Sequence, residues 1–163
     1  MTIPDLADLA NEHDIIVLEG CDGVGKTTLA AALAARHGYA IVHATRSPEG
    51  TDLFAKYRSI LTRPGPLVLD RSFVSELVYG PLEHVRSRLA FHDATRLAVA
   101  VAERGGVLVH LMGQPGQIAA RLLARDGQAP PLQHIRALTA AYVDVFTDLA
   151  AHVPVITIDT TTA

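Results

Sequence analysis

Lysine is nearly missing from this chain: of fourteen basic residues only Lys26 and Lys56 are lysines, and the rest are arginines. An Arg-for-Lys background of this kind reads as codon bias, and it makes each surviving lysine informative. An excess of positive charge is missing too. Fourteen Lys+Arg against seventeen Asp+Glu leave a formal charge of -3, which argues against a surface built to grip nucleic acid non-specifically. The single cysteine, Cys21, excludes an internal disulfide framework and a Cys-rich zinc site. The eight histidines show no metal-ligand spacing with a Cys or carboxylate cluster. No apolar run approaches the ~20 residues that a membrane span needs. The opening, MTIPDLADLANEHD, is acidic and lacks a basic n-region, so a cytoplasmic setting away from membranes is expected. What remains is 163 residues that are 49% apolar and 19% charged, a composition that predicts one globular domain over residues 1–163.

Short apolar runs alternate with longer helical stretches. Strands are expected at Ile15–Leu18, Ala40–His43, Leu67–Asp70, Val107–Leu111 and Val153–Ile158. Helices are expected at Lys26–Arg36, capped by a left-handed Gly38, and at Asp52–Leu61. Helical material from Ser72 to Arg104 should break at Gly80-Pro81. Two further helices, near Gly116–Ala124 and Leu132–Ala150, follow. Strands alternating with helices imply βαβ units, hence a three-layer α/β fold with a five-stranded parallel sheet flanked by helices.

Directly after the first strand stands Gly20-Cys21-Asp22-Gly23-Val24-Gly25-Lys26-Thr27-Thr28, which satisfies G-x-x-x-x-G-K-[ST] between a strand and a helix. The glycines let successive N–H groups turn inward toward a phosphate, and the helix N-terminus adds partial positive charge. Lys26 is expected to reach the β- and γ-phosphates of ATP, and Thr27 to supply a hydroxyl to Mg²⁺. An Asn/Thr-Lys-x-Asp guanine reader is absent, which argues against a GTPase switch. The third strand ends in Asp70-Arg71 where a motor would carry Asp-Glu. A cation in place of a water-polarising carboxylate disfavours hydrolysis and favours transfer to a second bound anion.

With these motifs the chain resembles the thymidylate kinase family, among the nucleotide and deoxynucleoside kinases. EGCDGVGKTT over Glu19–Thr28 is similar to that family's EGxDGxGKTT, and Thr45-Arg46-Ser47-Pro48-Glu49-Gly50-Thr51 to its TREPGGT. Asp70-Arg71, with Ser75 and Tyr79 following, resembles its Asp-Arg-aromatic segment, and Arg121-Leu-Leu-Ala-Arg125 the start of its arginine-rich lid, placed at about 121–131. The resemblance implies a P-loop kinase fold and ATP on the phosphate loop. It also implies an acceptor phosphate held by Arg71 with Arg46, and Thr27 and Asp70 at the metal. Asp22 would lie near the metal and acceptor sugar, and Tyr79 would stack beside that sugar. Phe54 and Arg58, one turn apart on a helix, match the pair that stacks on and hydrogen-bonds thymine. Gly23 stands where some members carry a P-loop arginine, so the transition-state cation is expected from Arg121 or Arg125.

Three departures bear on the acceptor. The segment from Thr51 to Asp70 is shorter than in typical members, which implies a reduced or more open pocket. Ser72 replaces the aromatic after Asp-Arg. Glu76 stands where the family has Asn or Gln, and an ionised carboxylate only accepts hydrogen bonds. The expected activity is Mg²⁺- and ATP-dependent phosphorylation of a small (deoxy)nucleotide, a pyrimidine deoxynucleoside monophosphate such as dTMP first among them. Alternatives are a nucleoside, the hydroxymethyl group of a modified base such as 5-hydroxymethyluracil in DNA, or a non-catalytic ATP-binding module. Nucleic acid is not the expected partner, although Arg58, Arg63, Arg86, Arg88 and Arg96 could form a local basic patch. Family members are often homodimers.

Overall fold

The central strand sets the layering. In the computed structural model, which describes residues 6–84 and 87–161, Ile15–Glu19 (β1) is buried along its full length. Its side chains alternate between two cores, as strand geometry requires. Ile15 and Val17 join one core, while Ile16 and Leu18 join another on the opposite face. A strand apolar on both faces belongs in the middle of a covered parallel sheet.

The remaining strands are Ala40–His43 (β2), Leu67–Asp70 (β3), Gly106–Met112 (β4) and Val155–Asp159 (β5). They pair in the order β2-β3-β1-β4-β5, and each pairing is parallel. Register places Leu18 beside Asp70, Glu19 beside His110, and His43 beside Asp70. The chemistry-bearing residues therefore share the carboxyl edge of the sheet, where open α/β folds bind ligands.

Helices Leu6–Glu12 (α1) and Lys26–His37 (α2) cover one face; Leu9, Leu29 and Leu33 fill that core. Leu53–Leu61 (α3), Phe73–His84 (α4), Phe91–Glu103 (α5), Pro115–Asp126 (α6) and Leu132–Ala150 (α7) contribute to the other core. Asp52 caps α3 by accepting from Ala55 N at 3.0 Å. Gly38 ends α2 at φ 74°, with its N–H on Ala34 O, as the sequence pattern predicts.

Three boundaries differ from expectation. Helix α1 has no counterpart in the sequence pattern; seven residues are too few to show a helical period, and the packing of Leu9 holds them. Helix α4 runs through Gly80 and Pro81 to His84. A proline removes one rung of the hydrogen-bond ladder, and Pro81 sits exposed, where the loss is borne by solvent-facing backbone. Strand β5 starts at Val155, not Val153, because Pro154 has no N–H for the ladder. Arg86 of the arginine cluster lies outside the described residues.

Candidate active site

The loop between β1 and α2 turns on Gly20, Gly23 and Gly25, at φ 149°, 82° and 108°. These values lie in the region that side chains disfavour. Space also excludes a side chain at Gly20, where a Cβ would stand 2.4 Å from the Leu111 carbonyl oxygen. Gly25 is the N-cap residue of α2 and no side chain caps it, so the helix N-terminus faces the loop bare. Lys26 is buried and folds back on the loop, donating to Gly20 O at 2.6 Å and Cys21 O at 2.9 Å. Burial lowers its pKa, as does the nearby Arg71 charge, against the pull of Glu19, Asp22 and Cys21. Val24 packs into the core beneath. Cys21 is buried too, and burial raises its thiol pKa, so it fills the loop as an inert side chain.

A cavity of about 1110 Å³ opens over this loop, lined by Asp22 through Leu29 together with His43, Ala44, Asp70, Arg71, Arg121 and Arg125. The Thr27 hydroxyl donates to Asp70 Oδ2 at 2.8 Å, and His43 Nδ1 lies 3.3 Å from the same oxygen. The described residues contain no cluster of three or more His, Cys, Asp or Glu suited to a metal. A hydroxyl beside one carboxylate is instead the donor set Mg²⁺ takes when water and phosphate oxygens complete its shell. The residues fit the ion, which Thr27 and Asp70 could hold.

A second cavity of about 260 Å³ adjoins the first, and Asp22, Ala44 and Arg71 line both. Arg71 follows β3 in the left-handed conformation at φ 67°, the one non-glycine with positive φ among the described residues. Its guanidinium pairs with Asp22 and lies 5.5 Å over the Tyr79 ring. Burial opposes the Arg71 charge, but Asp22 more than offsets this and raises its pKa. Burial likewise pushes the Asp22 carboxyl up, and the Arg71 charge and hydrogen bond outweigh it, so its pKa is lowered.

Arg46, Glu76 and Tyr79 line the second cavity as well. Glu76 is paired with Arg88, at 2.7 Å from Nη2 to Oε1, and Arg88 also donates to Ser47 O at 3.0 Å. Phe54 and Arg58 line neither cavity. The phase of α3 buries Tyr57 beside the second cavity; the Phe54 ring lies under Arg96, whose guanidinium carbon is 4.5 Å away, and Arg58 faces solvent. With Arg88 held by Glu76 and Arg96 over Phe54, two members of the arginine cluster are engaged within the protein.

The two arginines of the expected lid differ. Arg121 is tied down, donating to Thr160 O at 2.7 Å, Thr160 Oγ1 at 3.1 Å and Gly23 O at 3.4 Å, and so joins α6 to the end of β5. Arg125 is exposed at the mouth of the first cavity, paired with its neighbour Asp126 at 2.7 Å. The expected lid is the last turn of α6, closed by Gly127 at φ 74°, and the loop that follows.

Sequence reasoning missed His43, placed Arg88 only in a local basic patch, noted Glu19 as a motif letter and Ser72 as a departure from the motif. Glu19 is a charge inside an otherwise apolar strand, and that contrast was the available signal. Nothing local in the sequence marks Arg88, whose partner Glu76 lies on another element.

No protein-family model matches the chain. It is 26% identical over 129 residues to a tRNA dimethylallyltransferase of Methylobacterium radiotolerans, a match that takes in 79% of this chain and 40% of that protein. The match thus spans two fifths of the length of that curated relative. Among solved structures, YorR of Bacillus subtilis, in complex with phosphorylated GDP, superposes with a TM-score of 0.79 at 24% identity, over 90% of this chain and 85% of that one. Deoxyadenosine kinase of M. mycoides with bound dCTP gives 0.58 at 16% identity over 89% of each chain. A gluconokinase of Sinorhizobium meliloti gives 0.58 at 22% identity, over 93% of this chain and 85% of that one. The fold is that of P-loop kinases.

Proposed function

We propose that the protein transfers the γ-phosphoryl group of ATP to the phosphate of a small (deoxy)nucleoside monophosphate. One observation carries this reading: Arg71 and Asp22 line both the cavity over the phosphate loop and the adjoining smaller one. Two anions can thus be held end to end across one guanidinium. In the transfer, an oxygen of the acceptor phosphate bonds to the γ-phosphorus as the bond from that phosphorus to the β–γ bridging oxygen breaks, leaving ADP. Such a reaction asks the protein for alignment and charge neutralisation. Lys26 and the loop N–H groups would hold the β- and γ-phosphates, and Arg71 with Arg46 the acceptor. Arg125, at the cavity mouth, is better placed than the tethered Arg121 to swing over the transferring group. Mg²⁺, on Thr27 and Asp70, would neutralise charge on the phosphates.

The choice between a phosphate and a hydroxyl acceptor turns on the carboxylates. A hydroxyl needs a general base; an ionised phosphate oxygen needs none. Asp22 is paired with Arg71, Asp70 with Thr27 and His43, and Glu76 with Arg88. The pairing of these three, with Glu83 the fourth carboxylate at the cavities, supports a monophosphate over a nucleoside or a hydroxymethylated base. A pyrimidine such as dTMP is the acceptor implied by the family resemblance. The base would meet Glu76, Arg88 and Tyr57, since the Phe54–Arg58 pair lies outside the cavity. The YorR and deoxyadenosine kinase complexes, which hold nucleotides, support a nucleotide as ligand.

The test is incubation with γ-labelled Mg·ATP and separate panels of deoxynucleoside monophosphates, deoxynucleosides and hydroxymethylated DNA. Label on a monophosphate is expected. Label confined to nucleosides or DNA, or only to free phosphate, refutes the assignment.

A further inference from the structure

A carboxylate removed from water needs a donor for each oxygen. Glu19, at the end of β1, is fully buried, and its pKa is raised by that burial. Its Oε1 accepts from Ser72 N at 2.7 Å, Ser72 Oγ at 2.9 Å and Ser75 N at 3.1 Å. The Ser75 hydroxyl lies between both carboxylate oxygens, at 3.0 and 2.9 Å, and the Tyr142 hydroxyl donates to Oε2 at 3.1 Å. Two of these donors are main-chain N–H groups at the start of α4, the kind that a helix leaves without partners. The Ser72 hydroxyl in turn accepts from Val74 N at 3.2 Å. A strand on one side of the turn thus caps a helix on the other.

Between β3 and that capped turn lies Arg71, in a conformation that an L side chain resists. Such a conformation persists only where neighbours over-determine it. Here both flanks are pinned by consecutive residues of β1. The Arg71 N–H donates to Leu18 O at 3.1 Å, and the next N–H, on Ser72, donates to the Glu19 carboxylate. Nothing in the phosphate chemistry requires Glu19 to touch either ligand, and none of its atoms can reach solvent.

We infer that Glu19 is a positioning residue whose carboxylate, by anchoring Ser72 and Ser75, holds Arg71 in the left-handed turn that aims its guanidinium at the junction of the two cavities. The inference rests on Arg71 being the acceptor's anchor for its catalytic consequence, though not for its geometry. Glu19→Leu keeps about the same length and removes both acceptor oxygens, so Ser72 N and Ser75 N lose their carboxylate partner and the clamp opens. Tyr142→Phe removes one bond to the same carboxylate without touching the Arg71 turn.

Two readouts separate the role from the activity. In the first, Glu19→Leu raises KM for the accepted monophosphate about tenfold or more, as misplacement of an anchoring group does. Acceptor KM is unchanged in Tyr142→Phe. The second needs no turnover: the Arg71 Nε–H NMR signal, assigned by its loss in Arg71→Lys, is followed while inorganic phosphate is titrated. It moves with phosphate in the parent protein, and in Glu19→Leu it shifts to a free-arginine position and stops responding. A folded Glu19→Leu protein with unchanged acceptor KM and an unchanged Arg71 signal overturns the inference. Should that variant fail to fold, Ser72→Ala and Ser75→Ala are read the same way, and no change in either overturns it. A parent protein that phosphorylates nothing, yet whose Arg71 signal responds to Glu19→Leu, defeats the kinase reading and leaves the positioning role standing.

Discussion

The Arg71 guanidinium meets Asp22 through Nη2 alone, so its other N–H donors can hold a phosphate while that pair persists. A lysine keeps the charge but not the planar fork. Arg71→Lys should therefore raise acceptor KM and lower kcat/KM by about a hundredfold, in the range seen when a group that stabilises the transition state is removed, with KM for ATP little changed. Steady-state kinetics with each substrate varied in turn check this. Equal losses for ATP and acceptor would mean the residue serves the loop, not the junction. The residues at this scale were unequally legible. The loop from Gly20 to Thr28 is contiguous, and its chemistry follows from spacing alone. Arg71 was legible because it stands at a strand end. Phe54 and Arg58 were misplaced because a four-residue spacing tells that two side chains share a helix face, and not which face meets the cavity. The bonds of Glu19 to Ser72 and Ser75 join residues more than fifty positions apart, and only the register of β1 against β3 creates them.

Elements were easier to read than residues, because apolar strands and amphipathic helices repeat their signal over many positions. The exceptions have local causes: α1 is short, and α4 carries a proline on its exposed side. Between β4 and α7 the packing includes a titratable group. His110 is buried, stacked 4.5 Å from Phe146 at 5° between planes and 6.1 Å from Tyr142. Burial lowers its pKa from 6.5 to about 4. The unfolded chain thus binds the extra proton first as pH falls, so stability contributed by neutral His110 is present above about pH 6.5 and lost toward pH 4. A shift of this size corresponds to about 3 kcal/mol. His110→Phe preserves the stack and removes the proton. Its unfolding free energy should fall less steeply than the parent's between those limits in denaturant titrations. Parallel slopes would show that other groups govern the acid loss.

At the scale of the whole molecule, strand order brings β1, β2 and β3 side by side, so the phosphate loop, His43 and the Asp70-Arg71 turn share one edge. The fold class was legible from alternation of strands and helices; the order of the strands, and hence the two joined hollows, was not. Ligand binding should stabilise this edge as a unit. Saturating ATP at a hundred times its Kd adds about 2.7 kcal/mol if the unfolded chain does not bind it. The resulting rise in Tm should need Mg²⁺, shrink with EDTA, and be blunted in Asp70→Asn, which weakens a metal ligand. An equal rise without the metal would remove Asp70 from that role. Ala44 stands with Asp22 and Arg71 where the hollows meet, and it is the small uncharged member of the three. A compound made of two nucleosides strung on one polyphosphate thread would have to run past that methyl group. Ala44→Phe should close the passage, abolishing the advantage of the tethered compound while each half still docks alone.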